Sequence, residues 1–146
     1  LLVKRADVNA QGGAYGNALQ AAASGGHEAV VRLLIELGAD ANAQGGAYGS
    51  ALQAAAFRGH EAVVKLLFNC GANVESRDRN GCTAALHVAA QNGRGYLCQP
   101  QVVRYLLYNG YRPNMHNGSG LTAIYLAAIR SHKDTVRLLL QANANI

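Results

Sequence analysis

The chain has 146 residues, half of them hydrophobic, with 17 glycines, no tryptophan and a formal charge of +5. That is enough for one domain, and no apolar run approaches the roughly 18 residues that a membrane-spanning helix needs. The charge is uneven: residues 1–73 hold five bases and five acids, whereas residues 74–146 hold eight bases and three acids.

A period of 33 residues organises the sequence. Gly13-Ala14-Tyr15-Gly16-Asn17-Ala18-Leu19-Gln20-Ala21-Ala22-Ala23 returns as Gly46-Ala47-Tyr48-Gly49-Ser50-Ala51-Leu52-Gln53-Ala54-Ala55-Ala56, and Gly26-His27-Glu28-Ala29-Val30-Val31 returns as Gly59-His60-Glu61-Ala62-Val63-Val64. A period in this range predicts stacked supersecondary units with a large exposed face. The opening Leu1-Leu2 falls in the register of Leu34-Ile35, and Ile146 stops one residue short of a full period. This predicts a piece of a longer array. Residues 1–9 then form the tail of one unit, followed by units 10–42, 43–75, 76–114 and 115–146.

In unit 10–42, Leu19, Ala22 and Ala23 at i, i+3, i+4 predict a short helix that ends at Gly25-Gly26. A second helix starts near His27-Glu28, with the acid in its first turn where the helix dipole favours it. Its apolar stripe is Val30, Val31, Leu34 and Ile35, and Gly38 stops it in a left-handed conformation. A turn-rich loop leads to the next copy. Unit 43–75 repeats this scheme. In unit 76–114 about five extra residues fall within Gly93-Arg94-Gly95-Tyr96-Leu97-Cys98-Gln99-Pro100-Gln101, and Pro100 suits the first turn of the second helix. The extra residues read either as a tolerated loop insertion or as a binding loop presenting Arg94 and Tyr96. In unit 115–146, Asn143 takes the stop position of Gly38. Arg5 takes it in the opening fragment, where left-handed backbone costs a non-glycine roughly 1–2 kcal/mol.

Leu86-His87-Val88-Ala89-Ala90, Gly38-Ala39-Asp40-Ala41-Asn42, Gly110-Tyr111-Arg112-Pro113-Asn114 and Gly59-His60 together resemble the ankyrin-repeat family. The resemblance covers essentially the whole chain. The GGAYGxALQAAA variant of the first two copies resembles the ankyrin arrays of large fungal proteins of the NACHT type. It implies an all-α ankyrin solenoid in which each unit is a helix–turn–helix followed by a hairpin-like loop. The family usually binds through the concave side, at the loop tips and the exposed face of the inner helix. By register that side carries Phe57, Arg58, Arg77, Arg79, Asn80, Gln91, Asn92, Ile129 and Arg130, to which the insertion adds Arg94 and Tyr96. Arginines with apolar residues such as Phe57 and Ile129 make a composition suited to a protein contact. The expected partner is a protein with an acidic segment. The alternatives are a structural spacer, an autoinhibitory or sensor arm of a larger NACHT-type receptor, or nucleic-acid binding by the basic second half. No aromatic stacking platform or reader motif supports the last.

Little chemistry is expected beyond binding. His27, His60 and His132 recur at one register, which predicts a structural role near the turn. His87, at the register of Gln20, Gln53 and Tyr125, is expected to bond a neighbouring loop. Gly12-Gly13-Ala14-Tyr15-Gly16 resembles a phosphate loop but lacks the lysine and hydroxyl of a nucleotide-binding motif, so close packing is the better account. Asn117-Gly118-Ser119 matches a glycosylation triplet of a kind common by chance. The acids form no evident acid–base pair, and no serine or cysteine has a base beside it. The sequence therefore predicts no catalytic residue, metal or cofactor. Cys70, Cys82 and Cys98, an odd number without CxxC spacing, predict free thiols in a reducing compartment, cytoplasmic or nuclear. Leu1, Leu2, Thr135, Val136, Leu139 and Leu140 are expected to be partly uncovered at the ends, leaving a monomer or a weak end-to-end associate.

Overall fold

A computed structural model describes residues 6–73, 85–91 and 100–143. Among these are eight helices and no strand: α1 Ala18–Gly25, α2 Glu28–Glu36, α3 Ala51–Arg58, α4 Glu61–Asn69, α5 Ala85–Gln91, α6 Pro100–Tyr108, α7 Ala123–Ile129 and α8 Lys133–Gln141. Each odd-numbered helix packs on the next odd one and each even on the next even one, so the chain is a two-layer stack of helix pairs. The odd helices form the inner layer of the expected all-α solenoid.

Local chemistry sets the helix ends. Asn17 caps α1 with its side-chain oxygen, which accepts from Gln20 N at 2.8 Å, while Asn17 N donates to Gln20 Oε1 at 2.9 Å, a reciprocal box. Ser50 and Thr122 cap α3 and α7 with the side-chain oxygen alone, accepting from Gln53 N and Tyr125 N. Gly26 and Gly59 end α1 and α3 in left-handed backbone, φ 71° and 73°. The last unit places Ser131 there, at φ 60°. Asn143, at φ 64°, adopts the left-handed stop expected of it, whereas Arg5 lies outside the described residues.

Packing follows the repeat. Leu19, Leu52, Leu86 and Ile124 are buried along the inner layer, and the alanines beside them let neighbouring helices approach closely. Val31, Val64, Val103, Leu67, Leu106 and Leu139 fill the space between the layers. Gln20 crosses the unit boundary: its Nε2 donates to Gly45 O at 2.9 Å and to Gly49 O at 3.0 Å. An asparagine line does the same in the loops. Asn9 Oδ1 accepts from Asp40 N at 2.8 Å, and Asn42 Oδ1 accepts from Asn73 N at 2.6 Å. These bonds satisfy loop backbone groups that helices cannot reach.

Two expectations need correction. Val30 is not core: it is 47% exposed, against 1% for Val63 and Val102 at the same register. The later valines are covered by the preceding outer helix, and no outer helix precedes α2 among the described residues. Thr135 and Leu139 are fully buried rather than uncovered, because that face of α8 packs on α6 and α7. Val136 is half-buried and Leu140 exposed, as expected, and Tyr125 and Ile129 add to the exposure at this end; Leu1 and Leu2 lie outside the described residues. His60 has the structural role expected, with its side chain bonding backbone near the turn of the preceding unit. Its Nε2 donates to Ser24 O of the preceding unit at 2.9 Å, across the boundary. His87 reaches the neighbouring loop as expected, donating to Met115 O at 2.8 Å.

Candidate functional site

The ends of the inner helices carry the candidate contacts. Phe57 and Arg58 are the last two residues of α3; Ile129 ends α7 and Arg130 caps it. Arg58 and Arg130 are exposed, and neither has an ion pair among the described residues. They stand two units apart, roughly 20 Å along a stack of helices spaced about 10 Å from each other. Gln91 closes α5 between them. Arg77, Arg79, Asn80, Asn92, Arg94 and Tyr96 lie outside the described residues. The structure therefore shows two separate arginine-plus-apolar pairs, one at the end of α3 and one at the end of α7, with α5 between them.

The two apolar members differ. Phe57 is half-buried against the ring of Tyr48, with centroids 5.1 Å apart, and Tyr48 in turn stacks on Tyr15 at 6.4 Å. Ile129, at the same register, is 57% exposed. Ser24 holds that register in the first unit and is buried against the second. Ile129 thus owes its exposure to its place on the last described unit. The aromatic ladder Tyr15–Tyr48–Phe57 is exposed at Tyr15 and half-buried at Tyr48 and Phe57, and it links the candidate contact Phe57 to two loop tyrosines that the sequence did not single out as contacts. The recurrence of tyrosine at a loop tip was its signal. Beside Tyr15, a hollow of about 420 Å³ is lined by Gly12, Gly13, Ala18 and Ala21.

The glycines of these loops do allow close approach. A side chain at Gly46 would collide with the Tyr15 carbonyl and Gly16 N of the preceding loop. Ala47 N donates to Ala14 O at 2.9 Å across the same boundary.

Three outer-helix cations are neutralised by an acid of their own helix, whereas Arg104 and Lys133 have no ion pair among the described residues. On the outer helices Arg32 pairs with Glu28 at 3.2 Å, Lys65 with Glu61 at 2.8 Å and Arg137 with Asp134 at 3.5 Å. The hydrogen bond and the negative charge of Glu61 hold the Lys65 ammonium above its ordinary pKa. All three pairs are solvated, so each contributes little to stability. At the inner-helix ends Arg58 and Arg130 have no ion pair among the described residues.

No group of three or more His, Cys, Asp or Glu residues is placed to hold a metal ion among the described residues. Cys70 is an exposed free thiol, and Cys82 and Cys98 lie outside the described residues. Asn117 uses its side-chain oxygen to accept from Ser119 N and Leu121 N, each at 2.9 Å, which fixes the turn before α7. No described helix is long and apolar enough to cross a membrane.

A family model for ankyrin repeats, in three copies, matches residues 1–78, 47–99 and 86–146. A stretch of 32 residues is 69% identical to part of the azaphilone pigments biosynthesis cluster protein L of Monascus ruber. It covers 22% of this chain and 7% of that protein, so the match spans a small fraction of its length.

Proposed function

The chain belongs to the ankyrin-repeat family, and from that premise we propose that it is a non-catalytic module binding a protein partner with an acidic segment along its inner-helix side. Ankyrin repeats generally serve as protein-interaction modules. The observation that carries the acidic partner is the pair of exposed guanidinium groups of Arg58 and Arg130, at the ends of two inner helices and without an ion pair among the described residues. Three outer-helix cations, Arg32, Lys65 and Arg137, are by contrast each neutralised on their own helix. Guanidinium groups favour carboxylates by two-point hydrogen bonding. Exposed pairs contribute only about 0–1 kcal/mol each, so apolar contact at Phe57, Ile129 and the tyrosine ladder supplies the rest. By register, Arg77, Arg79, Asn80, Gln91 and Asn92 continue the strip, and Arg94 and Tyr96 extend it. The exposed thiol of Cys70 fits a reducing compartment, cytoplasmic or nuclear.

A second reading is a spacer or sensor arm within a larger NACHT-type receptor. It rests on the GGAYGxALQAAA variant of the first two copies, and the short match adds only a likeness to part of a longer protein.

The test is a pull-down with the chain as bait, after nuclease treatment. Charge reversal of Arg58 and Arg130, or of Arg77 and Arg79, should remove the captured protein, while reversal of Arg32 and Arg137 should leave it. Equal behaviour of the two sets refutes the inner-helix strip. Loss of capture on nuclease treatment points to nucleic acid instead.

A further inference from the structure

One register of the outer helices carries a cation in each unit: Arg32, Lys65, Arg104 and Arg137. Three of them have an acid three or four residues earlier. In α6 the corresponding positions hold Pro100 and Gln101, and Arg104 is exposed with no ion pair among the described residues. The same helix breaks the repeat twice more. Tyr105 stands at the register of Leu33, Leu66 and Leu138, and Tyr108 at that of Glu36, Asn69 and Gln141. Tyr108 is 89% exposed, so folding explains nothing about its ring. It lies four residues after Arg104, on the same helix face. Tyr105 is held in place, edge-on to Phe68 with centroids 5.8 Å apart and beneath the Lys65 ammonium, 5.5 Å from the ring centre. With Glu61 and Gln101 these side chains line an open groove of about 230 Å³ between α4 and α6.

We propose that this groove docks a protein segment bearing an Asp or Glu carboxylate next to a large apolar side chain. The carboxylate pairs with the Arg104 guanidinium, and the apolar group covers the rings of Tyr105 and Tyr108. Charge complementarity selects this occupant. Glu61, the groove's carboxylate, already accepts from Lys65, which leaves Arg104 without an ion pair among the described residues. Tyr and Arg are also the residues most enriched among energetically dominant contacts. The surface belongs to the outer layer and is independent of the inner-helix strip.

The experiment pans a phage-displayed random dodecapeptide library against the immobilised chain and measures the enriched peptides by fluorescence anisotropy. Enrichment of sequences with an acid beside Leu, Ile, Phe or Trp is expected. Their Kd should rise about tenfold or more with Arg104→Glu and with Tyr108→Ala, and stay unchanged with Arg58→Glu. Both substituted residues are exposed, and circular dichroism checks that each variant stays folded. Failure to enrich such peptides, or equal binding to the Arg104→Glu and Tyr108→Ala variants, overturns the proposal. So does displacement of the peptides by Arg58→Glu rather than by the α6 variants.

Discussion

Single residues in this chain are constrained most where one unit touches the next. Gly46 and Gly38 both have left-handed backbone, φ 66° and 94°, yet their surroundings differ. Around Gly38 nothing lies within 4 Å of a hypothetical side chain, whereas at Gly46 it would strike the Tyr15 carbonyl. Gly38→Ala should therefore cost about 1–2 kcal/mol from backbone strain alone. Gly46→Ala should cost more, because the neighbouring backbone has to move as well. Urea denaturation of the two variants measures the difference, and equal losses would show that the loops separate freely. The backbone demand at Gly38 was legible in the sequence, since it ends a helix. The collision at Gly46 was only indirectly legible, because it involves a residue 31 positions away in the preceding copy.

At the scale of the helix, apolar spacing identified the inner-layer core correctly. Leu52 and Leu86 are almost wholly buried, as their register requires. Leu→Ala at either should cost on the order of 2–5 kcal/mol through lost burial and a cavity, measured by thermal or chemical unfolding. A loss below about 0.5 kcal/mol at both would contradict the packing described. Polar links between helices and loops were less legible. Gln20 was readable as a repeated position, but its bonds to Gly45 O and Gly49 O depend on the next loop folding over α1. Gln20→Ala leaves those carbonyls and Asn17 N without that partner, at about 1–3 kcal/mol. Amide exchange at Gly45 and Ala47 should quicken in the variant, and unchanged exchange there would mean the loop is held by other contacts. The candidate site divides in the same manner. Register placed Arg58 and Arg130 at helix ends, but it did not reveal that Phe57 is half-covered by Tyr48. That contact joins a loop tip to a helix end.

For the whole molecule, position along the stack decides burial as much as residue type does. Val30 and Val63 are the same residue at the same register, yet the first is half-exposed and the second is core. Leu33 and Leu37 on α2 are likewise exposed, whereas α4 sits between α2 and α6 with Val63, Val64 and Leu67 fully covered. A stack of this kind has stability that is roughly a sum of unit and nearest-neighbour terms. A helix with one outer neighbour therefore opens at lower free energy than one with two. Native-state hydrogen exchange should show the amides of α2 and α8 less protected than those of α4. Leu37→Gln should change stability by less than about 0.5 kcal/mol, as expected of an exposed site. Leu67→Ala on α4 should cost on the order of 2–5 kcal/mol. Protection of α2 equal to that of α4, in a sample shown to be monomeric by light scattering, would mean that Val30, Leu33 and Leu37 are covered in solution. Equal protection that appears only as concentration rises would identify a second copy of the chain as the cover.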